Sequence, residues 1–192
     1  MAYLILGLIL FLGTHSIRIF AESWREKQIS KWGEQAWQGV YSLISIVGFI
    51  LLIWGFSQTW SETDLLWNPP IWTKYLAALF TLISFIFFAA AYVPGTKIKA
   101  KLGHPMILGV KLWAFAHLIS NGSVADIVLF GSFLIWAILD FRASRRREKI
   151  AKDIPIFIGY KRDIMVIIIG GIAWGIFAFY LHGLLIGVKP LT

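Results

Sequence analysis

Apolar residues run along this chain in long stretches broken by short polar segments, without the period-2 alternation of half-buried strands. The stretches cover 2–20, 40–60, 71–93, 105–119, 124–141 and 164–188. A membrane-crossing helix needs about 20 apolar residues, so the pattern predicts six transmembrane helices in one all-α polytopic bundle spanning 1–192 as a single domain. The run 105–119 is the shortest and carries Lys111 and His117. Ser120-Asn121-Gly122-Ser123 joins it to the next run as a compact turn, so the two read as a helical hairpin. Asn68-Pro69-Pro70 precedes the third span, Pro94-Gly95 closes it, and Pro105 suits the first turn of the fourth. Gly171 and Gly175 form a small-xxx-small face suited to close helix packing. Residues 23–38, with Trp24, Trp32 and Trp37 among mixed charges, read as an interfacial amphipathic helix.

Composition agrees with the pattern. Hydrophobic residues make up 58% and charged residues 15%, against about 45–50% and about 25% in soluble domains. This excludes a nucleotide-binding fold, a globular protease and a DNA-binding module. The first run has no basic segment before it and no small-residue cleavage site, so it is expected to be a retained helix. With no Cys, iron–sulfur and thiolate-haem ligation are excluded.

The net charge of +8 raises the question of nucleic acid, and the loops answer it. Arg25, Lys27 and Lys31 fall in the first loop, Lys97, Lys99 and Lys101 in the third. Arg142, Arg145, Arg146, Arg147, Lys149, Lys152, Lys161 and Arg162 fall in the fifth. The remaining loops and both termini hold only Lys74 and Lys189. Odd loops are therefore expected on the cytoplasmic face and both termini on the periplasmic face of a bacterial inner membrane. The charge records orientation and implies no nucleic-acid partner. Membrane lipids are the expected surroundings; a polybasic lipid-headgroup site in the fifth loop is the sharper alternative.

Ionisable groups inside a bilayer are functional candidates, because placing them there is costly. They are His15, Arg18, Lys111, His117 and His182, with Asp126 and Asp140 near span ends and able to reach solvent. Lys111 can snorkel. His15 and Arg18, three apart, share a helix face. His104 precedes Pro105 at a helix entrance, where amide donors and Lys97, Lys99 and Lys101 suggest an anion site. A set of histidines without Cys or a carboxylate cluster points to haem iron, which accepts neutral imidazole in an apolar pocket. Zinc or di-iron would want Asp or Glu beside the histidines, and copper is underdetermined. Helical rise places His15 and His104 nearer the cytoplasmic side and His117 and His182 nearer the outside. Depth leaves the ligand pairing open, and His182 without a role.

Gly13-Thr14-His15-Ser16-Ile17-Arg18, Gly33-Glu34-Gln35-Ala36, Ser42-Leu43-Ile44-Ser45, His104-Pro105-Met106, Trp113-Ala114-Phe115-Ala116-His117-Leu118 and Asn121-Gly122 together resemble the NnrU family. The resemblance is strongest over 7–60 and 102–140. That family is similar to the plastid 15-cis-zeta-carotene isomerase, which binds haem b through two histidines. Carried over, the resemblance implies haem b with His15 and His117 as metal ligands and His104 as a pocket residue. Arg18 would then pair with a haem propionate, or with Glu22 one turn on. Gly103 stands where relatives have Arg, and Ser123 where they often have an acid. The family name reflects a genetic association with nitrite and nitric oxide reduction. The expected activity is haem-dependent redox chemistry or polyene isomerisation on a small hydrophobic or gaseous substrate. The alternative is a membrane methyltransferase or reductase holding a soluble cofactor at His104-Pro105; a non-catalytic assembly factor is a third reading.

Overall fold

A computed structural model describes residues 1–59, 64–151 and 157–191. Lys152, counted above in the fifth loop, and the last residue of the 40–60 run lie outside them. The helices are α1 (Ala2–Phe20), α2 (Glu22–Trp32), α3 (Glu34–Ser57), α4 (Trp72–Tyr92), α5 (Lys97–Leu102), α6 (Pro105–Ser120), α7 (Val124–Ala151), α8 (Tyr160–Ile176) and α9 (His182–Ile186). A π-helical turn, Phe177–Leu181, joins α8 to α9 without a break. Each of the six apolar runs is helical. Five helices, Ala2–Phe20, Glu34–Ser57, Trp72–Tyr92, Val124–Ile150 and Tyr160–Ile186, are long and apolar enough to cross a membrane. The sixth, α6, has 16 residues, a rise of about 24 Å against a hydrocarbon core of about 30 Å.

Helices extend past the apolar runs because hydrogen bonding does not stop where polarity changes. α3 begins at Glu34, and α7 carries Arg142 to Lys149 as continuous helix. The amphipathic segment is split at Gly33, whose φ of +84° ends α2. No residue of α2 is buried; Trp24 and Trp32 instead cover Trp37 of α3, at ring separations of 5.7 and 6.3 Å.

The helices pack in the order α3–α1–α7–α6–α4–α8. The interior is built from small and medium side chains, among them Ala90, Ala114, Ala116 and Ala137, while Leu43, Ile50, Ile135, Ile168 and Ile172 are each more than half exposed. That inversion of the soluble pattern is what an apolar solvent allows: lipid tails are as apolar as Leu, so helix association relies on close packing of small residues. Glycines set the approach. On α3, Gly55 lies against the backbone of Leu4, and a Cβ at Gly48 would stand 2.7 Å from the Phe11 amide nitrogen. Gly7 of α1 repeats the contact toward Leu52 at 2.6 Å. The expected Gly171–Gly175 face is not used, since both glycines have open space around them. The glycine that meets α4 is Gly170, where a Cβ would come 2.6 Å from the Cα of Ile86.

All the basic loops gather at one end of the bundle, where they are tied together. Asp163 of α8 accepts from the amides of Lys97 and Ile98 at 3.0 Å each, Arg162 donates to the Pro94 carbonyl at 2.6 Å, and Arg147 to the Arg18 carbonyl at 3.0 Å. At the other end the hairpin turn is pinned to the α3–α4 connection by Leu66 N–H to Gly122 O (2.8 Å) and Trp67 Nε1–H to Asn121 O (2.8 Å). Ser123 and Asp126 cap α7 reciprocally, with Asp126 N–H to Ser123 Oγ at 3.2 Å and Ser123 N–H to Asp126 Oδ2 at 3.1 Å.

Replacing Gly55 or Gly170 with Leu is expected to destabilise the bundle by about 1–3 kcal/mol through overpacking, read as a lower melting midpoint in detergent. Gly13→Leu and Gly171→Leu, where nothing lies within 4 Å, are expected to leave it unchanged.

Candidate functional site

Among the described residues, the four histidines divide between two cavities, one at each end of the bundle. At the end opposite the basic loops a cavity of about 580 Å³ is walled by Phe56, Trp113, Phe130, Trp174 and Phe177 and contains His117 and His182. His117 stands in the last turn of α6. Its Nδ1 is 2.9 Å from the Trp113 carbonyl one turn back, and its ring stacks on Phe130 at 4.5 Å. A carbonyl oxygen only accepts, so Nδ1 carries the proton and Nε2 keeps its lone pair. His182 opens α9 directly after the π turn. Here Gly187, at φ +84°, folds the chain back so that the Val188 carbonyl meets His182 Nδ1 at 2.7 Å. The same tautomer follows. The two rings are 6.5 Å apart and inclined by only 12°. Trp174 is fixed by donating Nε1–H to Thr81 Oγ1 at 3.0 Å.

The π turn explains the facing rings. It inserts one residue relative to an α-helix, which advances the helical phase by about 100°.

The second cavity, about 800 Å³, lies among α1, α3, α4, α6 and α7 at the basic end and contains His15, Arg18 and His104. His15 Nδ1 is 2.7 Å from the Phe11 carbonyl, so its Nε2 is also free to accept. Its ring touches Phe11, Tyr41 and Trp136 at 4.3, 5.2 and 6.0 Å. Arg18 reaches Glu22 at 3.8 Å and its side chain is 61% exposed, the local pairing that i,i+4 spacing suggests. His104 Nε2 lies 3.6 Å from the carboxylate of Glu148, which Arg145 holds at 2.6 Å. The anion expected at this helix entrance is thus the protein's own Glu148, and the amides at the start of α5 are taken by Asp163. Asp140, expected to reach solvent, instead lines the cavity and lies 3.7 Å from Arg147. Lys111 places its ammonium over the Phe141 ring at 5.0 Å.

The structure therefore brings His15, Arg18 and His104 to one cavity and His117 to the other. Between His15 and His117 lie Phe11, Phe133 and Trp113 in a run of ring contacts: Phe11 to Phe133 at 5.8 Å, Phe133 to Trp113 at 5.4 Å and Trp113 to His117 at 5.2 Å. The partner of His117 is His182, to which the sequence assigned no role. The available signal was depth, which put these two together on the outer side. No cluster of three or more His, Cys, Asp or Glu suited to a metal occurs among the described residues.

These residues fit a group that takes two imidazoles in an apolar, aromatic chamber. Both rings are oriented by a bond from Nδ1 to a carbonyl, the supporting contact that a ligating histidine commonly has.

A family model described as NnrU protein matches residues 3–190, and the chain belongs to the NnrU family. No curated protein and no solved structure matches it.

The chain has no cysteine of its own, so His117→Cys with His182→Cys is expected to be bridged by a short dithiol-reactive linker. The measure is loss of both thiols to one equivalent of reagent. The pair His15→Cys with His117→Cys, separated by the aromatic run, is expected to stay unbridged.

Proposed function

We propose that this NnrU family member is a haem b protein of the bacterial inner membrane, with both termini on the periplasmic side. The observation that supports it is the His117–His182 pair: parallel imidazoles, each with Nε2 unprotonated, in an aromatic-walled cavity. On this reading His117 and His182 would hold the iron, in place of the His15–His117 pairing implied by the family resemblance. Bound there, haem b would supply redox chemistry and an affinity for small gaseous ligands or the conjugated part of an apolar substrate.

The chain's own residues do the rest. The Trp113 and Val188 carbonyls hold the two rings and raise the basicity of Nε2. Phe130 and Trp113 keep His117 from rotating. Lys74 and Lys189 line the same cavity and are the cations available to propionate carboxylates. Nitrogen-oxide handling and polyene isomerisation are the two chemistries this proposal covers.

Purification in detergent after expression with a haem precursor is expected to give a red protein with the sharp reduced-state absorption bands of six-coordinate haem b. His117→Ala and His182→Ala are each expected to convert or abolish that spectrum, and His15→Ala to preserve it. A colourless wild type overturns the haem reading; loss in His15→Ala with retention in His182→Ala restores the other pairing. Reporter fusions at either terminus are expected to be active only where the reporter requires the periplasm.

A further inference from the structure

The cavity at the basic end has a chemistry that the proposed haem site does not use. Most of its charged groups already have partners. Arg18 and Arg25 share Glu22 at 3.8 and 3.1 Å, Arg147 faces Asp140 at 3.7 Å, and Glu148 holds Arg145 at 2.6 Å. Lys99 donates to the Ala91 carbonyl at 2.8 Å.

What remains unsatisfied is specific. His15 Nε2 offers a lone pair, because Nδ1 carries the proton toward Phe11. Trp136 Nε1–H, on a ring 6.0 Å from His15, is buried without an acceptor, while His104 Nε2 faces the Glu148 carboxylate at 3.6 Å. A buried polar group without a partner is costly until something satisfies it. The complement of this set is a hydroxyl, which donates to His15 and accepts from Trp136 through one oxygen. The walls add Trp37, Tyr41 and Trp136 as flat surfaces and Met106 and Ile107 as apolar ones, so the body carrying that hydroxyl is an aromatic ring. The cavity lies inside a bundle whose outer face is apolar, which asks for a lipid-soluble molecule. Asp140, Ser144 and Glu148 follow at i, i+4 and i+8 on α7, with Ser144 Oγ 3.5 Å from Asp140 and Glu148 3.6 Å from His104.

We propose that the cavity formed by His15, Tyr41, His104, Trp136 and Asp140 binds the head group of a lipid-soluble quinol, with its hydroxyl between His15 Nε2 and Trp136 Nε1. The proposal concerns a different cavity from the haem reading and stands without it. Because His15 accepts, the site distinguishes quinol from quinone: the quinone has no proton to donate there and loses one of the two bonds.

The test is calorimetric titration of the detergent-purified protein with decylubiquinol under anaerobic conditions, and with decylubiquinone. Saturable binding is expected, about tenfold tighter for the quinol, the cost of one hydrogen bond. His15→Leu is expected to remove that preference, Trp136→Phe to weaken both forms by a similar factor, and His182→Ala to change neither. Trp136→Phe retains the ring and so separates the lost donor from a lost fold. Absence of saturable binding, equal affinity for the two redox forms, or indifference to both variants overturns the proposal. So does a haem spectrum that disappears in His15→Leu, which would give this cavity to the cofactor while leaving the haem reading intact.

Discussion

A carbonyl oxygen one helical turn back is the partner on which this structure depends. In lipid there is no water to satisfy a side-chain donor, and polar groups in the apolar helices turn to their own backbone. Thr14 bonds Leu10, Thr81 bonds Ala77, Ser84 bonds Phe80 and Ser120 bonds Ala116. His15 and His117 obey the same rule with Phe11 and Trp113. For a hydroxyl the rule merely removes a cost. For an imidazole it also chooses the tautomer, because the nitrogen facing the carbonyl must carry the proton. The requirement that lets a histidine enter the membrane therefore also prepares its other nitrogen to accept a bond.

The same economy shapes the packing. Glycines at positions 7, 48 and 55 let α1 and α3 touch backbone to backbone, and Gly109 lets α6 approach Phe88 and Ser84 of α4. The bulkier aliphatic residues are left for the outer surface. Polar cross-links cluster at the two ends, Asp163 with the α5 amides at one and the Ser123–Asp126 cap with the Trp67 bond at the other, with Trp174 to Thr81 a bond inside the bundle. Between them, Phe11, Phe133 and Trp113 form an apolar partition, so each cavity meets its own side of the bundle. One is aromatic with two imidazoles; the other is ringed by paired charges.

Much of this was legible in the chain. The six helices, the hairpin at 120–123 and the gathering of the basic loops follow from hydropathy and from Lys and Arg placement, which are properties of single segments in a known solvent. Depth arithmetic along straight helices also separated His15 and His104 from His117 and His182. What was not legible depends on rotation about a helix axis. Gly170 and Gly171 are equivalent as composition and differ by about 100° in direction, and only one meets Ile86. Gly103 and Glu148 meet through the placement of α7 against the start of α6, which no local pattern encodes. The facing of His117 and His182 required the π turn, and nothing in Phe177-Ala178-Phe179-Tyr180-Leu181 announces a widened turn.

That turn has a consequence for how the chamber is specified. Side-chain chemistry determines what His182 can do, but the number of residues before it determines where it looks. A helix without the extra residue would hold every hydrophobic contact type it now has and aim the imidazole about a quarter-turn away. The alignment of the two rings is thus a matter of length, robust to most exchanges of one apolar residue for another between Ile176 and His182 and vulnerable to the loss of any one of them. Descent by substitution can vary the walls of the chamber freely; only a change in register can dismantle it.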